Sequence, residues 1–354
     1  MKSIKIGKNS IGDDFPCFTI AEAGANHDGD RNKAIKLIDA AINGKADSIK
    51  FQSYTASKLT TKTAPKYWKD DYPNETQYDV FKKLDTLNND DWKYIFEYAN
   101  KKEIPCFSTP FDEESVEFLY SINVPAFKVA SADITHLPLI KKISSKKLPI
   151  FISTGMASNQ EIDEAISAIR DTGNENIILM HCMTSYPTKP ADANLQMIKT
   201  LKEQYPDCII GYSDHTAGTA IALCSKFYGA NVIEKHFTYD TNLQQSPDHR
   251  LSLDTEGFSN LVSQLRLSEI SKGSSIRKNF DCESDAVKYA RRSIVSVGKI
   301  RKGTKISKEQ VSIKRPATGI YPKFLDQVIG STVKVDIEND QPIKWEYIES
   351  KNEN

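Results

Sequence analysis

The chain has 354 residues, 47 of them basic and 47 acidic, so its formal net charge at pH 7 is zero, and no long run of like charge breaks the balance. This excludes the electrostatic footprint of a protein that binds nucleic acid or an anionic membrane, and no stretch reaches the roughly 18 uninterrupted apolar residues of a membrane span. The length favours two domains over one, and the opening Met1-Lys-Ser-Ile-Lys-Ile-Gly7 lacks the apolar core of a signal peptide. Six scattered cysteines without a C-x-x-C pair read as reduced core residues, so the expected location is cytoplasmic.

In chain order, short β-rich runs alternate with amphipathic helical stretches. The first predicted strand, Cys17 to Gly24, is followed by a helix over Arg31 to Asn43 and a second strand over Ser48 to Gln52. A long polar insertion then runs from Tyr54 to about Asp90 and contains Tyr67-Trp68-Lys69-Asp70-Asp71-Tyr72. It reads either as a lid or dimer-contact loop or as a tolerated surface excursion. Six further strands are predicted at Pro105 to Thr109, Ala126 to Ser131, Pro149 to Thr154, Asn176 to Cys182, Asp207 to His215 and Asn231 to Thr238. Helical stretches lie between, among them Asp112 to Tyr120, Asn159 to Asp171 and Thr219 to Tyr228. Eight β-α repeats predict a closed (β/α)8 TIM barrel over residues 1–272 rather than an open sheet. A polar linker (273–289) and a small β-rich domain (290–349) follow.

The predicted strands are apolar until their last residues, which turn polar: Glu22, Lys50 and Gln52, Ser108 and Thr109, Lys128 and Ser131, Ser153 and Thr154, His181, Ser213 to His215, and Glu234 to His236. In a barrel these are the carboxyl-terminal strand ends, where catalytic groups belong. His215 and His236 leave adjacent strands and form half of a divalent-metal site. Lys50 and Lys128, with the hydroxyls of Thr109, Ser131 and Ser153, make a pocket for phosphate or carboxylate, lysine supplying charge and hydroxyls directed donors. Glu22 reads as a general base or as a buried structural carboxylate. Asn26 and His27 contribute to a substrate site or cap the next helix. Asp248 and His249 face the same mouth or form an ordinary loop turn.

Glu22-Ala-Gly-Ala-Asn-His27, Ile49-Lys-Phe-Gln52, Phe107-Ser-Thr-Pro-Phe111, Phe127-Lys-Val-Ala-Ser131, Ile152-Ser-Thr-Gly-Met156, His181-Cys182, Tyr186-Pro-Thr188, Gly211-Tyr-Ser-Asp-His215, Glu234-Lys-His-Phe-Thr238 and Arg315-Pro316 together resemble, in order, the sialic acid synthase family. That resemblance implies a TIM barrel joined to an antifreeze-like (SAF) module. It also implies condensation of phosphoenolpyruvate with a 2-acetamido hexose, yielding a nonulosonic acid and phosphate. By the same resemblance, His215 and His236 hold manganese or magnesium, and Lys50, Lys128, Thr109, Ser131, Ser153 and Ser213 hold phosphoenolpyruvate. Glu22 and Glu234 shield a cationic centre and handle the protons of the attacking water. Gln52, Asn26, Asp133, Tyr186 and Asp248 fall at the substrate, and Arg315 reaches the acetamido group from a partner in an exchanged homodimer.

Asp133 stands where the family commonly has glutamate, and Ser246-Pro247-Asp248-His249 where it often has glycine first, so the identity of the sugar stays open. N-acetylmannosamine, a legionaminate-type diacetamido trideoxy hexose and a pseudaminate precursor are the candidates, and Pro247-Asp248-His249 resembles the first two more. Two other classes stand beside this one. A Schiff-base aldolase would use Lys50, Lys128 or Lys235. A non-catalytic sugar-binding protein would rely on the β module.

Overall fold

The structure, a computed structural model, describes residues 2–68, 72, 74–278 and 280–349. Lys69, Asp70 and Asp71 of the insertion and Asn279 of the expected linker lie outside the described residues. The chain divides into two compact units after Lys272.

The first unit opens with an antiparallel hairpin, β1 (Ile4–Ile6) and β2 (Asn9–Ile11). Eight strands follow: β3 (Phe18–Gly24), β4 (Ser48–Ser53), β5 (Cys106–Pro110), β6 (Phe127–Val129), β7 (Ile150–Ser153), β8 (Ile177–Cys182), β9 (Ile209–Asp214) and β10 (Val232–His236). Each neighbour pairs in parallel, and β10 returns to β3, closing the barrel that the sequence predicts. Helices cover its outside, and local sequence starts them. Asp30 accepts from the backbone N–H groups of Asn32 and Lys33 at the start of Arg31–Asn43, and Ser158 with Glu161 forms a capping box at Asn159–Arg170.

Because strand side chains alternate with a period of two, each barrel strand divides between two environments. Outward residues such as Ile49, Phe127, Ile152 and Ile210 join the large core beneath the helices. Inward residues Phe18, Ile20, Phe107, Ala126, Phe151, Ile178, Met180, Ile209 and Val232 fill the barrel, and Ile4, Ile6 and Ile11 of the hairpin pack with them. Phe107 and Phe151 stack with centroids 5.0 Å apart. The result is an apolar plug closed at one end by the hairpin, so the inward polar residues two positions later have a dry floor beneath them.

The described part of the insertion contains two helices, Ala56–Leu59 and Gln77–Leu84. The second, Gln77–Leu84, begins with a Thr76–Asp79 capping box and buries Val80 and Leu84 against Ala25 beside the partly buried Trp68. In the second unit, Ser293–Ser296 pairs antiparallel with Val311–Lys314 and Thr332–Val333 with Ile348–Glu349. Its own apolar core includes Ile294, Ile306, Val328, Ile337 and Ile343. All six cysteines are unpaired. Four are buried as expected, whereas Cys224 and Cys282 are exposed, the first on a helix and the second in a short turn of helix beyond Lys272. Among the described residues no helix is long and apolar enough to cross a membrane.

Gly211 shows how tightly the plug is packed. It faces inward between β8 and β10, and a Cβ there would sit 2.3 Å from Met180 Sδ and 2.9 Å from Val232 Cβ. Gly211→Ala is expected to cost about 1–3 kcal/mol by overpacking. Adding Met180→Ala should recover part of that loss. Denaturant unfolding checks both, and fully additive losses would show that the contact is not the cause.

Candidate active site

The inward positions at the carboxyl-terminal strand ends bring Glu22 from β3, Lys50 from β4, Thr109 from β5, Lys128 from β6, Ser153 from β7, Ser213 from β9 and Glu234 with His236 from β10 to one rim. Lys50 Nζ lies 2.6 Å from Glu22 Oε2 and 3.9 Å from Glu234 Oε2, and donates to Thr109 Oγ1 at 3.2 Å. Lys128 Nζ donates to Glu234 Oε1 at 3.0 Å, and Ser213 Oγ donates to the same oxygen at 2.9 Å. Gln52 Nε2 donates to Glu22 Oε1 at 3.2 Å. At Gly24 the pairing of β3 shifts register, and its positive φ turns the chain over this group.

Glu22, Lys50, Lys128 and Glu234 are each at most 4 % exposed. Removing such groups from water costs several kcal/mol apiece, and only mutual pairing makes it tolerable. The two carboxylates are not equivalent. Burial, opposed by Lys50 and reinforced by Glu234, pushes Glu22 up to about 7. Burial also acts upward on Glu234, but Lys128 and Lys50 outweigh it and hold Glu234 at about 2. One carboxyl therefore exchanges a proton near neutrality while its neighbour stays ionised, a division that suits acid–base work.

The two histidine rings lie with centroids 5.2 Å apart, and Tyr186 packs on His215 at 4.3 Å. His215 Nδ1 is 2.8 Å from Met183 O. A carbonyl can only accept, so Nδ1 carries the proton and Nε2 keeps its lone pair. His236 Nδ1 is buried without a hydrogen-bond partner, 3.7 Å from Asp248 Oδ2. An orphaned imidazole nitrogen next to a second imidazole with a fixed tautomer fits a divalent cation that takes its other ligands from water or substrate. Among the described residues no group of three or more histidine, cysteine, aspartate or glutamate side chains is arranged to hold a metal ion.

Above the charged floor opens a cavity of about 670 Å³. Gln52, Thr109, Ser131, Asp133, Ser153, Tyr186 and Asp248, expected from sequence, all line it. Ser131 Oγ accepts from Gly155 N at 3.1 Å, and burial pushes the Asp133 carboxyl upward. The insertion supplies Tyr54, Leu59, Tyr67, Trp68, Gln77 and Phe81 to the walls, so it is not a mere surface excursion. Thr184, Met156 and Arg250 also line the cavity without having been singled out in the sequence. The Ser246-Pro-Asp-His-Arg250 run was the available signal for Arg250 and the Ile152-Ser-Thr-Gly-Met156 motif for Met156, but nothing in the sequence marks Thr184.

Several polar residues face elsewhere. Asn26 is buried off the cavity, its amide donating to Phe237 O and Ser252 Oγ at 2.9 and 3.1 Å. His27 is a core residue edge-on to Trp92, with burial lowering it to about 4. His249 is fully buried between Thr238 Oγ1 and Asp28 Oδ1, at 2.9 and 3.1 Å. His181 Nε2 meets Ala193 O. Lys235 points away from the barrel interior and pairs with Asp214 at 2.8 Å. Arg315 lies exposed in the second unit, preceding a cis Pro316.

Comparison with known proteins supplies the family. The NeuB family model matches residues 37–277, and the SAF domain model matches residues 291–349. The N,N'-diacetyllegionaminic acid synthase of Legionella pneumophila is 39% identical over 346 residues, 96% of each chain. The pseudaminic acid synthase of Helicobacter pylori is 32% identical over 339 residues, 93% of this chain and 97% of that one. Among solved structures, the N-acetylneuraminic acid synthetase of Leptospira borgpetersenii in complex with citrate superposes with a TM-score of 0.72 at 34% identity, covering 81% of this chain and 95% of that one. With the barrel, the SAF domain and the paired charges at its rim in view, the chain belongs to the NeuB family and is an enzyme of the sialic acid synthase type.

Proposed function

We propose that this enzyme condenses phosphoenolpyruvate with a 2,4-diacetamido trideoxy hexose to give a legionaminate-type nonulosonic acid and phosphate. The observation that carries the condensation is the set of two buried Lys–Glu pairs beside two imidazoles on one barrel rim. With Glu22 protonated, Lys50 and Lys128 face one carboxylate, and the surplus positive charge receives phosphoenolpyruvate. Thr109, Ser131, Ser153 and Ser213 direct hydroxyls to its oxygens. C3 of phosphoenolpyruvate attacks the aldehyde carbon and leaves positive charge at C2. Glu22 gives its proton to the oxygen of the former aldehyde, ionised Glu234 stabilises the charge at C2, water adds there, and Glu22, now ionised, accepts the water's proton. The tetrahedral intermediate then breaks its C2–O bond and releases phosphate. His215 and His236 would hold a divalent cation, which when bound would supply Lewis-acid polarisation of the aldehyde.

Three features support the acceptor. The legionaminic acid synthase is the more similar of the two curated relatives compared, at 39% against 32% identity. Asp133 is a methylene shorter than the usual glutamate, leaving room at the sugar. Walls of Tyr54, Leu59, Tyr67, Trp68, Phe81 and Met156 favour acetamido and deoxy groups over a trihydroxylated chain. The Schiff-base reading fares poorly. Burial favours a neutral amine at Lys50, but Glu22 and Glu234 hold it charged above the ordinary lysine range, and Lys235 faces away. Six unpaired cysteines accord with a cytoplasmic enzyme. On the family resemblance, we also propose an exchanged homodimer in which Arg315 serves the partner's barrel.

Phosphate release from phosphoenolpyruvate, measured with the diacetamido sugar and with N-acetylmannosamine, tests the reaction. We expect release that EDTA abolishes and manganese restores, with kcat/KM at least ~10-fold higher for the diacetamido sugar. Release with neither sugar, or release indifferent to EDTA, would overturn the proposal. Mixing inactive Arg315→Ala and His236→Ala proteins should restore about a quarter of wild-type activity if subunits exchange arginines, because half the dimers then carry one complete site. No recovery after verified subunit exchange would count against the exchanged dimer.

Glu22 gives a pH test. Its pKa is raised from 4.5 to about 7, so the stability it contributes is full below 4.5 and is lost as pH rises through about 7. Glu22→Gln escapes that loss. The metal-free variant should gain on wild type by up to about 3 kcal/mol between pH 4.5 and pH 8. A pH-independent difference in unfolding free energy would refute the assignment.

A further inference from the structure

The rim histidines have an unusual arrangement behind them. Asp214 precedes His215 and Lys235 precedes His236, and Asp214 and Lys235 are register partners on adjacent strands. Their side chains alternate away from the barrel interior and meet at 2.8 Å, 0 and 1 % exposed. Asp214 is saturated: Oδ1 accepts from Tyr212 OH at 3.1 Å and Thr216 N at 2.9 Å, while Oδ2 accepts from Thr216 Oγ1 at 3.1 Å and from Lys235. Lys235 Nζ also donates to Thr216 O. A single ammonium on β10 therefore holds the residue before His215 and the residue after it. The backbone carbonyl of His215 is held separately by Thr188 N at 2.9 Å.

A buried ion pair is a weak source of stability, since its desolvation offsets much of its attraction. Neither residue of the pair lines the cavity, so anion binding there does not explain it. What it does geometrically is tie β9 to β10 at the point where both histidines leave their strands. We infer that Lys235, with Asp214, is a positioning pair that sets the separation and orientation of His215 and His236, and so determines divalent-cation affinity. This rests on the metal reading of the two histidines proposed above. Groups outside the ligand shell that orient ligands commonly change metal affinity 10–100-fold when removed.

The test is Mn²⁺ binding to the full chain without substrates, followed by the electron paramagnetic resonance signal of free Mn²⁺, with melting temperature measured on the same samples. Lys235→Met, Asp214→Asn and the double variant Asp214→Asn/Lys235→Met are compared with wild type, His215→Ala and His236→Ala. Either single variant should weaken Mn²⁺ at least ~10-fold. The double variant should regain melting temperature, because no unpaired buried charge remains, yet still bind Mn²⁺ weakly. Thr216→Val, which removes one hydroxyl, serves if the charge variants do not fold, with a smaller loss of affinity expected. Wild-type affinity in the folded Lys235→Met, Asp214→Asn or double variant would overturn the inference while leaving the metal reading intact. So would wild-type affinity in Thr216→Val if the charge variants do not fold. Affinity that returns together with melting temperature in the double variant would show a merely structural pair and also overturn it. Wild-type affinity in His215→Ala and His236→Ala would remove the metal reading and the inference with it.

Discussion

Two lysines and two glutamates, each nearly without solvent, sit together at the carboxyl-terminal rim of the barrel, and most of the architecture can be understood as what keeps them there. Exposed pairs of this kind contribute little. Buried, they are tolerable only if geometry is maintained closely enough for attraction and hydrogen bonds to offset lost hydration. The closed sheet provides that geometry, because Glu22, Lys128 and Glu234 each stand two positions beyond an inward apolar residue, and Lys50 two beyond buried Ser48, above a plug packed tightly enough to require glycine at 211. The hairpin of Ile4, Ile6 and Ile11 completes the plug from the other end.

The same dry floor sets the chemistry. Glu22 and Glu234 are the same side chain in the same cluster, yet Glu234 has both lysines against it, and Glu22 has Lys50 on one side and Glu234's negative charge on the other. Their proton affinities separate on that account. Reactions that develop transient positive charge and also move a proton from water need such a division, and a single isolated carboxylate would not provide it.

The site has two parts of different construction. Its floor is made of strand ends, whose positions are coupled through the barrel and cannot move independently. Its walls come from loops and from the 54–90 insertion, which contributes Tyr67, Trp68 and Phe81. Anion-binding chemistry on a rigid floor beneath variable walls is how one fold accepts different sugars without altering the carbon–carbon step. Asp133, which lines the cavity, is a position where this chain departs from the family's usual residue.

Much was legible in the sequence because it is local and periodic. Apolar runs that turn polar at their ends announced eight strands and the rim, and Glu22, Lys50, Lys128, Glu234, His215 and His236 were named from that pattern and from motif order. What a linear reading could not decide was which way each polar residue faces and what fills the space it faces. Lys235 stands between Glu234 and His236 and was an equal candidate for the site; period-two alternation turns it outward to Asp214. His249 and Asn26 lie in loops that face the mouth in sequence order, but long-range hydrogen bonds to Asp28, Phe237 and Ser252 draw them into the packing. The insertion showed only polarity and length until its capped helix placed Val80 and Leu84 against Ala25. Sequence determined the elements, since propensity, capping and alternation are properties of neighbours along the chain. Tertiary structure alone decided the proton affinities of the two glutamates and the partners of the buried charges, since desolvation and Coulomb attraction depend on distances between residues that the sequence separates, as Lys128 and Glu234 are by 106 positions.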